Sequence, residues 1–227
     1  MLSQEEMKRV AGEYAVNLIE PGFVTGIGTG STVYYFIHAL AIRIKEGLNI
    51  KTTVTSQKSA LLAKELGIPI TDLNDIDTID ITIDGADEAD NELQLIKGGG
   101  GALLQEKMVA AASRKLVIIA DSTKIVNQLG VFPLPVEVIP YGWKQTQKHI
   151  ASLSCNKIEL REKEGNPFIT DHGHYILDCH FQKIKNPSLL SRQLNAIPGV
   201  VENGLFINMA SSIITSNPDG TIKIITK

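Results

Sequence analysis

Between Lys97 and Glu106 the chain reads Lys-Gly-Gly-Gly-Gly-Ala-Leu-Leu-Gln-Glu, a cation and a carboxylate separated by four consecutive glycines. Glycine runs cost backbone entropy, so a run with ordered flanks points to a backbone that must come close to a ligand. Together these residues look like a base beside an oxyanion site, with Glu106 as the base and Lys97 with the glycine loop for the developing negative charge, although Glu106 by itself equally suits an i,i+4 partner or a solvated helix face. A second cluster, Asp84-Gly-Ala-Asp87-Glu88, follows the apolar run Ile79–Ile83. Two carboxylates three residues apart at a strand end could converge on one small polyol, cap the turn, or hold Mg²⁺ through oxygen. The third candidate is Gly26-Ile-Gly-Thr-Gly-Ser-Thr32. At a strand-to-helix turn, its N–H groups and hydroxyls could hold a phosphate, although three glycines also simply permit a tight turn. The spacing is neither G-x-G-x-x-G nor a P-loop. Lys124, in Ala120-Asp-Ser-Thr-Lys, could close on a phosphate or be a solvated surface residue, and His172-Gly-His174 reads as a turn rather than as metal ligands.

The elements that must carry these loops follow from periodicity. Ser3-Gln-Glu-Glu6 fits a capping box and opens an amphipathic helix that ends at Pro21-Gly22. Strands are expected at 23–28, 50–54, 79–83 and 116–120, with helices at 31–46, 56–66 and 101–113, so that Glu106 would lie about one and a half turns into its helix. A helix start is also expected after Ala120, with Asp121 or Ser122 as its cap. Such alternation implies a mainly parallel, Rossmann-like α/β sheet covered on both faces. Beyond Gly130 the order changes to strand 136–139, helix 142–152, strand 157–161, strand 175–180, helix 187–196 and strand 200–207, the split βαβ of a smaller ferredoxin-like α+β domain. Residues 213–225, with the turn Asn217-Pro-Asp-Gly220, form a hairpin expected to rejoin the first domain. The expected division is 1–130 with 207–227 as the main domain and 131–206 as the insertion.

Composition bounds the partners. With 227 residues, 43% hydrophobic and 21% charged, the chain is globular and carries a domain and a half. The net charge of −3 offers no phosphate-backbone attraction, so no nucleic acid is expected and any anionic ligand must be held locally. Cys155 and Cys179 are too few for a disulfide framework or zinc site. No signal sequence or membrane-spanning run is evident, so a cytoplasmic protein with no membrane partner is expected.

The motifs together resemble ribose-5-phosphate isomerase of type A from end to end: 26–32, 84–88, 97–102 with Glu106-Lys107, 120–124, Phe132-Pro-Leu-Pro-Val-Glu-Val-Ile-Pro140 and Ile197-Pro-Gly-Val200. Gln105, where many relatives carry Arg, and Ser212, where Asp is common, depart from the pattern. The resemblance implies interconversion of D-ribose 5-phosphate and D-ribulose 5-phosphate in the non-oxidative pentose phosphate pathway, with no cofactor, no metal and a homodimer or homotetramer. It implies catalytic roles for Glu106, Asp84, Asp87 and Lys97, with Glu106 moving a proton between C1 and C2 through an enediolate. It implies substrate binding by Thr29, Gly30, Ser31, Thr32, Asp84, Gly85, Ala86, Asp87, Lys97, Gly98, Gly99, Gly100 and Lys124. Two readings compete with it. One is a non-catalytic sugar-phosphate sensor, which would need a further module for which the expected elements leave no room. The other is a related sugar-phosphate isomerase, deaminase or lactonase; the His expected beside Asp84–Asp87 for a deaminase is not evident.

Overall fold

A computed structural model describes residues 1–155 and 157–226; Lys227, the last residue of the expected main domain, lies outside the described residues. The first half of the chain runs α1 (Gln4–Ala15), β1 (Val24–Ile27), α2 (Ser31–Lys45), β2 (Lys51–Val54), α3 (Gln57–Glu65), β3 (Ile81–Asp84), β4 (Glu88–Ala89), β5 (Leu95–Ile96), α4 (Leu103–Ala111) and β6 (Leu116–Asp121). The second half runs β7 (Leu134–Val138), α5 (Trp143–Ala151), β8 (Ile158–Leu160), β9 (Glu162–Lys163), β10 (Asn166–Pro167), β11 (Tyr175–Cys179), α6 (Pro187–Asn195), β12 (Val200–Asn203), β13 (Leu205–Phe206), β14 (Ala210–Ser216) and β15 (Ile222–Thr226).

Two compact units emerge, one from residues 1–86, 105–125 and 209–227 and the other from 87–104 and 126–208. The first holds a six-stranded sheet ordered β15-β14-β6-β3-β1-β2. β14, β6, β3, β1 and β2 are parallel neighbours in turn, and β15 closes the edge antiparallel to β14. All six residues of β6 and all four of β3 are buried, the mark of central strands covered on both faces. Ser3 caps α1 in the expected capping box, and Phe36, Leu40, Ile27, Ile83 and Ile119 belong to the core of this unit. From β1 the chain crosses to β2 on one side and then to β3 on the other. The strand order therefore reverses at β1 and β3, where loops at the carboxyl ends leave a crevice for ligands.

The second unit has a four-stranded antiparallel sheet ordered β12-β7-β11-β8, with α5 and α6 as the two crossovers, the ferredoxin-like order expected. Its core includes Leu134, Val136, Ile150, Leu177 and Leu194. Two features depart from the sequence expectation. The strand expected over 200–207 breaks at Gly204, whose N–H donates to the Pro135 carbonyl and whose own carbonyl accepts from Lys97 N. Beyond it, β13 leaves β7 and pairs with β5, which also pairs with β4, making a separate three-stranded sheet. That pairing draws residues 87–104, expected with the main domain, into the second unit.

Candidate active site

The loop after β1 and the loop after β3 meet through one buried carboxylate. Asp84, fully buried at the end of β3, accepts from Thr29 N at 3.0 Å and from Gly85 N at 2.7 Å through the same oxygen, Oδ1. Gly28 makes this possible: a Cβ there would collide with the Asp84 carboxylate and lie 2.6 Å from Asp84 Cα. Gly30 follows with φ +128°, a conformation that an L side chain rarely adopts, and serves as the N-cap of α2 without a side-chain hydrogen bond. The opening N–H groups of α2, from Ser31 onward, thus receive no side-chain cap from Gly30, an arrangement that suits an anion at the positive end of a helix dipole.

Residues that the sequence reading missed surround this loop. Thr29 Oγ1 lies 2.8 Å from Thr55 Oγ1, 2.7 Å from Ser56 Oγ and 3.2 Å from Ser59 Oγ, and Ser59 Oγ donates to the Gly28 carbonyl at 2.7 Å. A cavity of about 370 Å³ is lined by Gly30, Ser31, Tyr34, Tyr35, Ser59 and Lys58, among others. The position of Thr55-Ser56 between β2 and α3 was the available signal, since it repeats the strand-to-helix logic of Thr29–Thr32. Thr32 is buried within the first turn of α2, and Gly85 and Ala86 are half-buried on the way out of β3.

Glu106 is 4% exposed and stands in the first turn of α4. This corrects the expected helix start at 101: α4 opens at Leu103 because Gly98–Gly101 close a turn, Gly101 N donating to the Gly98 carbonyl at 3.0 Å. Lys124 is half-buried and ends a single 3-10 turn, Ser122–Lys124, rather than opening a helix. Asp121 caps that turn by accepting from Thr123 N, and the chain then turns extended at Ile125.

In the second unit Asp87 Oδ2 accepts from Gly99 N at 2.7 Å, so one of the expected anion donors carries a carboxylate already. Lys97 is 2% exposed, with Nζ 5.4 Å from the centre of the Phe206 ring. Gly98 is buried, with φ +101°, and Gly99 and Gly100 are exposed. Glu88 is buried and accepts from Gly130 N and Phe132 N, tying the 130–132 loop to β4. His172-Gly-His174 forms the expected turn: Thr170 N donates to the His174 carbonyl, and His174 Nδ1 lies 2.9 Å from Glu137 Oε1. No group of three or more His, Cys, Asp or Glu among the described residues is arranged to hold a metal ion, the Asp84–Glu88 cluster included. Nor is any described helix long and apolar enough to cross a membrane.

Residues 51–220 match the family model for ribose 5-phosphate isomerase A (phosphoriboisomerase A). A relative from Bacillus mycoides strain KBAB4 named ribose-5-phosphate isomerase A is 54% identical over 215 residues, 94% of this chain and 97% of its own. Among solved structures, ribose 5 phosphate isomerase A from Neisseria gonorrhoeae is 41% identical with a TM-score of 0.92, covering all of this chain and 98% of that one. A D-ribose-5-phosphate isomerase in complex with phospho-erythronic acid is 39% identical with a TM-score of 0.96, each chain covered in full.

Proposed function

The chain belongs to the ribose 5-phosphate isomerase A family and interconverts ribose 5-phosphate and ribulose 5-phosphate, and from that premise we propose how its own residues carry the reaction. Glu106 removes the proton from C2 of the open-chain aldose and returns it to C1, while a hydroxyl proton moves from O2 to O1. Lys97 and the N–H groups of Gly98, Gly99 and Gly100 stabilise the enediolate oxygen between the two transfers. Asp84 and Asp87 bind sugar hydroxyls and move protons during ring opening. Thr29, Gly30, Ser31 and Thr32 take the phosphate on the uncapped turn of α2, with Gly85, Ala86 and Lys124 at the rim. No step needs a metal or cofactor. The enzyme works in the cytoplasm as a homodimer or homotetramer, as the resemblance implies.

The observation that supports this reading is the near-complete burial of Glu106 in the first turn of α4, where bulk water is kept from the carboxylate. Glu106→Gln tests it. General-base loss is worth about 10² to 10⁴ in rate, or roughly 3 to 5 kcal/mol of barrier. In a coupled assay with EDTA present, wild-type activity is expected to persist and that of the variant to vanish while ribose 5-phosphate still binds. Full turnover by the variant would remove Glu106 from the role, and loss of wild-type activity to EDTA would bring back a metal at the acidic cluster.

A further inference from the structure

Arg161, immediately after β8, has no part in the scheme above, yet it grips the glycine run from behind. Its Nη1 donates to the Gly98 carbonyl at 2.8 Å and to the Gly99 carbonyl at 3.1 Å. Its Nε and Nη2 are taken by the two oxygens of Asp178 on β11, a bidentate pair in which both side chains are largely buried. The Arg161 backbone contributes as well: its N–H donates to the Ile176 carbonyl, and its carbonyl accepts from Phe168 N. The Phe168 ring occupies the space that a Cβ on Gly101 would need.

The consequence follows from peptide geometry. In a trans peptide the C=O and the next residue's N–H point in opposite directions. With its Gly98 oxygen held by Arg161, the 98–99 peptide sends Gly99 N–H the other way, where the Asp87 carboxylate receives it. The 99–100 peptide, held through its Gly99 oxygen by the same guanidinium, must send Gly100 N–H away from Arg161 too. We propose that Arg161 is the positioning residue of the oxyanion site: held by Asp178, it fixes and polarises two successive peptides so that Gly99 N–H holds the Asp87 carboxylate and Gly100 N–H faces an anionic oxygen of the substrate. The Asp87 carboxylate on Gly99 N–H marks where negative charge is accepted. A cationic donor on a carbonyl strengthens the N–H at the other end of the same peptide, and preorganised donors act on charge as it develops rather than on the ground state.

This inference rests on the enediolate reading, and the test separates the two. For Arg161→Lys, Arg161→Ala and Asp178→Asn, kcat and KM for ribose 5-phosphate, the inhibition constant of phospho-erythronate and the amide NMR shifts of Gly99 and Gly100 would be measured. Lys is a point donor without the planar fork, so Arg161→Lys is expected to lose about 10- to 100-fold in kcat, with KM within about threefold. Phospho-erythronate should weaken in step with kcat, and the Gly100 amide proton should move upfield. Millimolar guanidinium is expected to restore Arg161→Ala, and sodium is not. If Arg161→Ala does not fold, Arg161→Lys and Asp178→Asn carry the same readouts. Unchanged kcat and amide shifts in Arg161→Lys, or activity that falls only in proportion to the folded fraction, would overturn the proposal. If Glu106→Gln is inactive while Arg161→Lys is unimpaired, only this inference fails; if Glu106→Gln turns over, the reading beneath it fails first.

Discussion

At the scale of single residues, the Gly28–Asp84 pair makes the sharpest prediction. Asp84→Asn keeps an oxygen acceptor at Oδ1 for Thr29 N and Gly85 N, so the fold should survive while the charge proposed to handle sugar hydroxyls is lost. The expected result is a fall in kcat of at least about 10²-fold with little change in melting temperature. Gly28→Ala should act the other way round in cause. Its methyl collides with Asp84, overpacking of this kind costs about 1 to 3 kcal/mol, and the melting temperature and activity fall together. A Gly28→Ala protein as stable and active as wild type would show that the two loops are not braced through this contact. The two thiols give a pH-dependent case. Cys155, half-exposed, interacts with the buried Cys179 thiol, which pulls its pKa below the ordinary thiol value, while the same interaction and burial push Cys179 up. Cys155 therefore gains thiolate at lower pH than a free cysteine does, and iodoacetamide at pH 7.5 should label it well before Cys179, as mass spectrometry would read. Cys179→Ala should move the Cys155 reactivity midpoint upward, and equal labelling of the two would refute the interaction between the thiols. Glu106, Lys97 and both aspartates were legible as candidates because their types and their places at strand and helix ends suit chemistry on their own. Arg161 was not, because what it holds in the glycine run is two main-chain carbonyls about sixty residues away, and a carbonyl has no sequence signature.

At the scale of elements, alternation predicted nearly every long strand and helix, because buried parallel strands and amphipathic helices impose their period on the sequence. The failures are short or interrupted elements. β4, β5 and β13 have two residues each, too few for a period to show. The run Val200-Val-Glu-Asn-Gly-Leu-Phe-Ile207 reads as one strand, and what breaks it is the close approach of another backbone at Gly204. A Cβ at this position would collide with the Lys97 carbonyl and sit 2.9 Å from Pro135 Cδ. Gly204→Ala should therefore push β7 and the Lys97 backbone apart, costing about 2 to 4 kcal/mol in denaturant unfolding and weakening the hydrogen bond from Lys97 N to the Gly204 carbonyl. Activity should drop even in the folded fraction, because the backbone that carries Lys97 is displaced. A substitution without effect on either measure would mean that β12 and β13 can shift freely, contrary to the register observed.

At the scale of the whole molecule, the net charge of −3 led to the expectation of no nucleic-acid partner but could not reveal a small sugar phosphate, which on the proposed reading is held by a few N–H groups and lysines rather than by bulk potential. The domain arithmetic was similarly coarse. Sequence order suggested that the smaller unit is one continuous insertion, whereas the chain contributes 87–104 to it as well. That segment supplies Ile96 to the core, β5 as the partner of β13, the Ala89 carbonyl that accepts from Val126 N, and the Glu88 carboxylate that holds Gly130 and Phe132. Burying an Ile side chain is worth about 1.5 to 3 kcal/mol, and each hydrogen bond to a charged group about 1.5 to 3 kcal/mol, so the loss approaches the roughly 5 to 15 kcal/mol that holds a typical domain folded. A fragment of residues 126–208 should therefore lack cooperative thermal unfolding and near-ultraviolet circular dichroism, while keeping some helix in the far ultraviolet. Joining 87–104 to 126–208 through a flexible glycine-serine linker should restore a cooperative transition, because loop closure of this kind costs little. If the 126–208 fragment melts as cooperatively as the joined one, residues 87–104 are only a strap over a unit that is complete without them, and the continuous insertion read from the sequence is the better description.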